Sequence, residues 1–278
     1  MLDRFKLIVA AGALCLVAAP VLAQTPGLSK DEAKCQSNTG KTLAKFTGSK
    51  AKCIGKCFAT QRKAATPAFS DCLAPYADAT ENACITAPAK GAEDKAGASI
   101  AKKCNVTGKD SCPECYSTAE CNNANGTNPF VQSTETNIDA FPILVYCNEA
   151  LNNTPGTKEE QKCEDGVSKA LVKFVGSKTK CYDKCHKNME SGKIPLGSCN
   201  PPNPSDAATL ACVKDPVKGA EAKAAASIDK VCATAGANPS CYVPAFDTGQ
   251  EWVNTVEAIV DGVTPTVACG SPSGAFLN

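Results

Sequence analysis

The feature that most constrains this chain is a cysteine-rich block that occurs twice. At an offset of 128 residues, Lys34–Phe58 and Lys162–His186 are identical at 13 of 25 positions. At the same offset, Cys84–Cys104 and Cys212–Cys232 are identical at 13 of 21 positions. Because two separated blocks agree without a change of offset, the chain contains an internal duplication.

Eight cysteines correspond between the two copies. Those of the first copy are Cys35, Cys53, Cys57, Cys72, Cys84, Cys104, Cys112 and Cys147, and their counterparts are Cys163, Cys181, Cys185, Cys199, Cys212, Cys232, Cys241 and Cys269. Cys115 and Cys121 have no counterpart in this alignment. A shared cysteine framework predicts that each copy is held together by disulfides.

The N-terminus has the pattern of a secretory signal peptide. A charged stretch precedes an apolar run from Leu7 to Leu22, and small residues before Gln24 indicate cleavage there, so residues 1–23 are the predicted signal. The run is shorter than the roughly 20 residues of a membrane-spanning helix, and no later segment is as apolar, so we expect no membrane span in the mature chain. Removing Cys15 leaves eighteen of the nineteen cysteines. An even number suits an exported protein, periplasmic or extracellular.

The duplication divides the mature chain into two units. The first unit is predicted to span residues 24–148, and the second spans residues 157–278. Residues 149–156 form a short polar linker that contains Pro155 and Gly156. Each unit has an ordinary domain size, so we expect two separate and similar domains.

The residue pattern of each unit predicts mostly helix. A first helix is expected from about Lys30 to Lys63, because its apolar residues recur at spacings of three and four. Gly48, repeated as Gly176, leaves a break in this helix possible. A second helix is expected from Pro88 to Cys104, followed by turns and a short strand at 143–146. The predicted fold is mainly α, with two tandem disulfide-stapled helical hairpins and irregular C-terminal segments.

A helical hairpin predicts which cysteines pair. Cys35 to Cys53 spans about 27 Å of helix and Cys84 to Cys104 about 30 Å, so antiparallel arms match in length. The nested pairs of the first unit are then Cys35–Cys104, Cys53–Cys84 and Cys57–Cys72, with Cys112–Cys147 holding the last third and Cys115–Cys121 as a local addition. Those of the second unit are Cys163–Cys232, Cys181–Cys212, Cys185–Cys199 and Cys241–Cys269. A small rotation of the first helix would let Cys53 and Cys57 exchange partners.

The charge distribution argues against a nucleic-acid partner. Without the signal peptide the chain has 27 basic and 27 acidic side chains, because Arg4, Lys6 and Asp3 are removed. The lysines alternate with acidic residues and alanines, a pattern typical of a solvated helix face rather than a basic binding surface.

Two cysteine motifs are candidate redox sites. Cys181-Tyr-Asp-Lys-Cys185-His186 is similar to a haem attachment motif with one residue too many between the cysteines. The first copy has Phe58 in place of the ligand, which favours a structural role with His186 at the surface.

Cys112-Pro-Glu-Cys115 has the spacing of a dithiol–disulfide redox motif, but no βαβ pattern surrounds it. Soft-metal binding by the cysteines is a third possibility, although an oxidising compartment favours disulfides. We predict no catalytic residues, no cofactor and no metal site, because the chain has one histidine and no hydrolase or phosphate-loop motif.

The repeated run from Cys35 to Cys57, with lysines around Phe46 and Gly48, resembles repeats in uncharacterised exported proteins of environmental bacteria. The resemblance covers both units and implies no activity. The leading functional interpretation is a secreted structural or binding protein without catalysis. The alternatives are an extracytoplasmic redox or electron-transfer protein and a binder of soft metals or of a small apolar ligand between helices.

Overall fold

The computed structural model describes residues 28–123, 126–152, 154–233 and 237–269. The predicted signal peptide lies outside these residues, as do parts of the linker and the C-terminus. The helices are α1 (Lys30–Gln61), α2 (Ala79–Thr86), α3 (Ala92–Cys104), α4 (Pro129–Asp139), α5 (Pro142–Val145), α6 (Cys147–Asn152), α7 (Lys158–Glu190), α8 (Ala207–Lys214), α9 (Ala220–Cys232) and α10 (Gly249–Val267). The mainly α prediction is confirmed. Within the described ranges, every helix is too short or too polar to cross a membrane.

The two long helices begin at matching caps. Ser29 accepts a hydrogen bond from the backbone N–H of Glu32, whose carboxylate accepts one from the Ser29 backbone in return. Thr157 and Glu160 make the same reciprocal pair at the start of α7. These capping boxes satisfy N–H groups that the first turn of a helix leaves free.

Neither long helix breaks at its central glycine. A Cβ atom added to Gly48 would lie 3.2 Å from Cγ1 of Val172 on α7, so the missing side chain lets the two helices approach closely. Gly48 and Gly176 both lie inside continuous helix. The possible break in the first helix therefore does not occur, and Gly48 lies where α1 and α7 meet.

Two local predictions are wrong. The second helix of the first unit, α3, begins at Ala92 rather than at Pro88, and Cys84 lies on a separate earlier helix, α2. They separate at Gly91, where an added Cβ would collide with the backbone of Ala87. Residues 143–146 form no strand, because Pro142 starts the short helix α5 there.

Six cysteine pairs agree with the helical-hairpin argument. They are Cys35–Cys104, Cys53–Cys84, Cys57–Cys72, Cys163–Cys232, Cys181–Cys212 and Cys185–Cys199. Corresponding pairs have nearly the same Cα–Cα distance, for example 4.7 Å for Cys35–Cys104 and 4.8 Å for Cys163–Cys232. Each unit therefore has the same stapled helical framework.

The other three predicted pairs are wrong. Cys112–Cys147, Cys115–Cys121 and Cys241–Cys269 are replaced by Cys112–Cys121, Cys115–Cys269 and Cys147–Cys241. The last cysteine of each unit bonds to the other unit, and the residue two positions before it, Val145 or Val267, accepts a hydrogen bond from a tyrosine of that other unit. Cys115, rather than Cys112, is thus the structural counterpart of Cys241.

The units consequently do not form separate domains. The largest apolar core contains Phe58 and Tyr146 of the first unit together with Phe174 and Trp252 of the second. A smaller core joins first-unit residues to Cys269. Only 5% of the residues are aromatic, so one unit alone would bury little apolar area. A core shared by both units buries more of it, which favours the merged arrangement.

Candidate functional site

Contacts between the two units are reciprocal. The Gln36 side chain donates a hydrogen bond to Glu190 at 2.8 Å. Their counterparts at the offset of 128 residues, Glu164 and Arg62, also pair, at 3.0 Å. Such exchange of equivalent partners is typical of an interface with two-fold symmetry. The start of each long helix contacts the end of the other, so α1 and α7 are antiparallel.

The C-terminal segments follow the same relation. The Tyr116 hydroxyl donates to the carbonyl oxygen of Val267, and the Tyr242 hydroxyl donates to that of Val145 at 2.6 Å. Tyr242 corresponds to Tyr116, and Val267 corresponds to Val145, when the paired cysteines Cys115–Cys269 and Cys147–Cys241 are used to align the units. The interface therefore has two equivalent ends.

One end, which we call the closed end, contains Phe58, Tyr146 and Arg62. The rings of Phe58 and Tyr146 stack with centroids 4.2 Å apart, and Phe69 stacks on the other side of Phe58 at 5.8 Å. The Arg62 guanidinium lies 5.7 Å from the centroid of Tyr146. These aromatic side chains fill the space between the helices.

Arg62 binds a group of buried carboxylates at the closed end. It donates two hydrogen bonds to Glu149, at 2.7 and 3.0 Å, and one each to Glu164 and Asp165. Burial raises the pKa of Glu164 to about 9, the charge of Glu149 adds to this shift, and Arg62 opposes it. The arginine thus joins the first unit to the linker and to α7.

The other end, which we call the open end, has smaller or more polar counterparts. His186 stands at the position of Phe58 in the repeat. Ala268 stands at the position of Tyr146, because Ala268 precedes Cys269 as Tyr146 precedes the equivalent Cys147. A cavity of about 190 Å³ lies between the units, and both His186 and Ala268 line it. The loss of one large ring at the open end explains why space remains there.

The cavity wall is mostly apolar and comes from both units. Helices α1 and α7 form its two long sides, and α4 and α10 complete it. Its apolar lining includes Leu43, Ala44, Ile138, Phe141, Leu171, Val172, Val175, Val256, Ile259 and Val260. Gly40 faces this space without a side chain, and its nearest neighbours across it are Thr179 and Val267, each 3.8 Å from where a Cβ would stand.

His186 is the most unusual side chain of the cavity. It is only 9% exposed, and neither ring nitrogen has a hydrogen-bond partner. Burial lowers its pKa to about 4, although the nearby Asp183 opposes this shift. The imidazole is therefore neutral at pH 7 and offers one donor and one acceptor. The prediction that His186 lies at the surface is wrong, because α1 and the end of α10 cover this turn of α7.

Polar side chains close the open end around His186. Asp183 accepts hydrogen bonds from Ser37 at 2.5 Å and from Lys187 at 2.8 Å, and Lys41 lies 3.3 Å away. Burial raises the pKa of Asp183, but the bonds from Lys187 and Ser37 outweigh it and hold the pKa below its usual value. The charges of Asp183, Lys187 and Lys41 are thus paired with one another.

Glu190 and Gln36 complete the rim. Gln36 donates to Glu190 and accepts a hydrogen bond from the backbone N–H of Cys269 at 2.6 Å. Burial raises the pKa of Glu190 to about 7, and the charge of Asp183 adds to the shift. Gln36 therefore ties the C-terminal segment of the second unit to α1, and this contact holds Ala268 in the cavity wall.

Two fully buried lysines, which the sequence analysis treated as part of a solvated face, support the cavity from outside. Lys178 on α7 lies 2.6 Å from Glu257 and 2.7 Å from Asp261, both on α10. Its counterpart Lys50 on α1 pairs in the same way with Glu135 and Asp139 of α4. These ion pairs hold α4 and α10 against the long helices.

A sequence signal for these lysines exists. Lys50 comes four residues after Phe46 and three before Cys53, and it therefore lies on the apolar stripe of α1. The repeat keeps a lysine there in both copies. A charged residue on a buried stripe requires a buried partner, which identifies Lys50 and Lys178 as structural residues.

The predicted redox motifs are not assembled as redox sites. Cys181 and Cys185 are bonded to other cysteines, so neither has a thiol for attachment of haem. Cys112 and Cys115 bond elsewhere and not to each other.

Among the residues that the structure describes, two groups of side chains are close enough for a metal ion. They are Cys35, Cys104 and Cys121, and Cys57, Cys72 and Glu81, with ligand atoms within 4.8 Å of one another. All five cysteines are in disulfides, which supply no thiolate for a soft metal.

Comparison with family models, curated proteins and solved structures finds no match for this chain.

Proposed function

We propose that this protein is an exported, disulfide-stapled binding protein that holds a small apolar molecule between its two units. The observation that carries the proposal is the cavity of about 190 Å³ at the open end, with walls from both units. Apolar cavities of roughly 150 Å³ can take up a molecule such as benzene. The size therefore suits one ring or a short alkyl chain.

The cavity is a built feature rather than a packing defect. Its wall uses Gly40, Ala44 and Ala268, while the equivalent closed end is filled by Tyr146. Protein interiors are close-packed, so an unfilled volume in a small core forgoes dispersion contacts and lowers stability. A ligand that fills the cavity would restore those dispersion contacts, and this gain would favour binding.

The disulfide framework supports the same proposal. Each long helix carries three disulfides, and two more cross between the units, so the walls are held at fixed separation. A rigid, preformed cavity pays little ordering entropy when a ligand binds. The paired cysteines also favour an oxidising compartment, outside the cytoplasm.

The test is toluene binding followed by calorimetry, with a variant that closes the cavity. Ala268→Tyr places at the open end the residue found at the closed end, and toluene binding should be lost. Ala258→Tyr is the matched control, because Ala258 is exposed on α10 and its substitution should leave binding intact. Failure of the unaltered protein to bind toluene, or equal binding by both variants, would refute the proposal.

The redox and soft-metal alternatives are tested on the same sample. Thiol titration of the denatured, unreduced protein should detect no free thiol, and an absorbance scan should show no haem band. Two or more reactive thiols, or a haem band, would favour those alternatives over ligand binding.

A further inference from the structure

The volume of the cavity limits the size of a ligand, and the polar residues at its open end limit the ligand's chemistry. Resting on the function proposed above, we propose that the ligand carries a neutral hydroxyl group that hydrogen-bonds to His186, with its apolar part against the walls of α1 and α7.

The first step is the missing partner of His186. Its side chain lines the cavity, is 91% buried and has no partner for either ring nitrogen. A buried polar group without a partner is costly, and native proteins pair nearly all of them. The Tyr182 and Thr134 hydroxyls also line the cavity without a hydrogen-bond partner, but only the imidazole has both of its polar atoms unpaired, so a ligand beside it would satisfy an existing deficit.

The second step is the charge of the ligand. A carboxylate beside His186 would approach Asp183 and Glu190. An ammonium group would find Asp183 already bonded to Lys187 and Ser37, and Glu190 already bonded to Gln36. Burying an unpaired charge costs far more than burying a hydroxyl. Since the imidazole is neutral at pH 7, with burial lowering its pKa to about 4, a hydroxyl matches its single donor and single acceptor.

The third step is the contrast with the first unit. There, Phe58 stands at the position of His186 and packs against Tyr146. The framework therefore accepts an apolar ring at this position, and the histidine is not required to build it. The change from Phe58 to His186 at equivalent positions indicates a polar contact at this point of the open end.

The experiment compares toluene with p-cresol, which has the same ring and methyl group plus a hydroxyl. His186→Phe introduces the residue of the first copy. In the unaltered protein we expect the ratio of p-cresol to toluene affinity to exceed the ratio in His186→Phe by about fivefold to tenfold, the effect of one buried hydrogen bond. Benzoate and benzylammonium should bind more weakly than p-cresol.

A second measurement needs no substitution. His186 is the only histidine in the chain, so long-range ¹H–¹⁵N NMR of the imidazole reports this site alone. We expect p-cresol to shift one or both ring nitrogens and toluene to leave them nearly unchanged.

The outcomes separate this inference from the proposed function. Binding of toluene with an unchanged ratio and unmoved nitrogens would overturn the hydroxyl assignment and leave the apolar site standing. Tighter binding of either charged probe would overturn the assignment as well. If neither toluene nor p-cresol binds, the function itself fails.

Discussion

The closed and open ends of the interface between the units have equivalent positions and different contents. At the closed end Tyr146 stacks on Phe58, and Arg62 pairs with buried carboxylates. At the open end Ala268 and His186 stand in their places, and a cavity remains. The comparison shows that a duplicated framework can fill one position with aromatic rings and leave a cavity at the equivalent position.

Each end of the interface has one disulfide that crosses between the units, and we expect these bonds to contribute most to the free energy of unfolding. Replacing Cys147 and Cys241 with alanine should lower the free energy of unfolding by about 4–5 kcal/mol, because the bond closes a loop of 94 residues. Chemical denaturation measures this loss.

A bond within one unit provides the control for that variant. Removing Cys53–Cys84, which closes a loop of 31 residues, should cost about 1 kcal/mol less. Peptide mapping without reduction should find Cys147–Cys241 and Cys115–Cys269. A Cys112–Cys147 fragment would contradict the crossed connection.

The buried lysines should contribute equally to the two units. Lys178→Met leaves Glu257 and Asp261 without their buried cation, so we expect a loss of about 4 kcal/mol at neutral pH, and Lys50→Met should cost about as much. Thermal or denaturant unfolding gives both values. Lys180→Met, on the exposed face of α7, should have almost no effect. Unequal losses for Lys50 and Lys178 would show that the two ends differ in their support as well as in their filling.

Emptying the closed end should make it resemble the open end. Tyr146→Ala removes a buried ring and should cost about 3 kcal/mol in unfolding free energy. It should also create a second toluene site, which calorimetry would detect as a change in stoichiometry. Tyr146→Phe keeps the ring and should do neither. A variant that loses stability without a second site would show that the first unit collapses into the vacated space.

Acid should affect the open end through His186, and the first unit has no histidine to respond. The folded pKa of about 4 lies below the ordinary value of 6.5, so the unfolded chain binds more protons between these pH values. The stabilising contribution is complete above pH 6.5 and falls as pH is lowered, by about 2 kcal/mol at pH 5. The difference between the unaltered protein and His186→Phe, measured from pH 7.5 to pH 4.5, should follow this curve. A constant difference would mean that His186 titrates normally.

Local features were predictable because their causes lie close together in the chain. The apolar stripe of α1 and the cap at Ser29 specify a long helix, and the matching lengths of the hairpin arms place Cys35 opposite Cys104. Those pairs depend only on helix rise and on one turn of the chain. They required no knowledge of the other unit.

Features of the interface were not predictable in this way. His186 is followed by no local signal of burial, and its cover comes from α1 and from the end of α10, more than 70 residues away in sequence. The cysteines Cys147 and Cys269 lie at the ends of their units, and the hairpin argument paired each of them within its own unit. In the structure each bonds to a cysteine of the other unit.

By itself the sequence determined the duplication, the long amphipathic helices and the six disulfides of the two helical hairpins, since each follows from residue spacing along one or two neighbouring helices. Only the tertiary structure decided that the units share a core, that their last cysteines exchange partners and that Ala268 faces a cavity which Tyr146 fills at the other end. The physical reason is that these features depend on how two antiparallel helices from different units approach each other. That approach is set by the sum of many weak packing contacts across the whole interface, which no local spacing encodes.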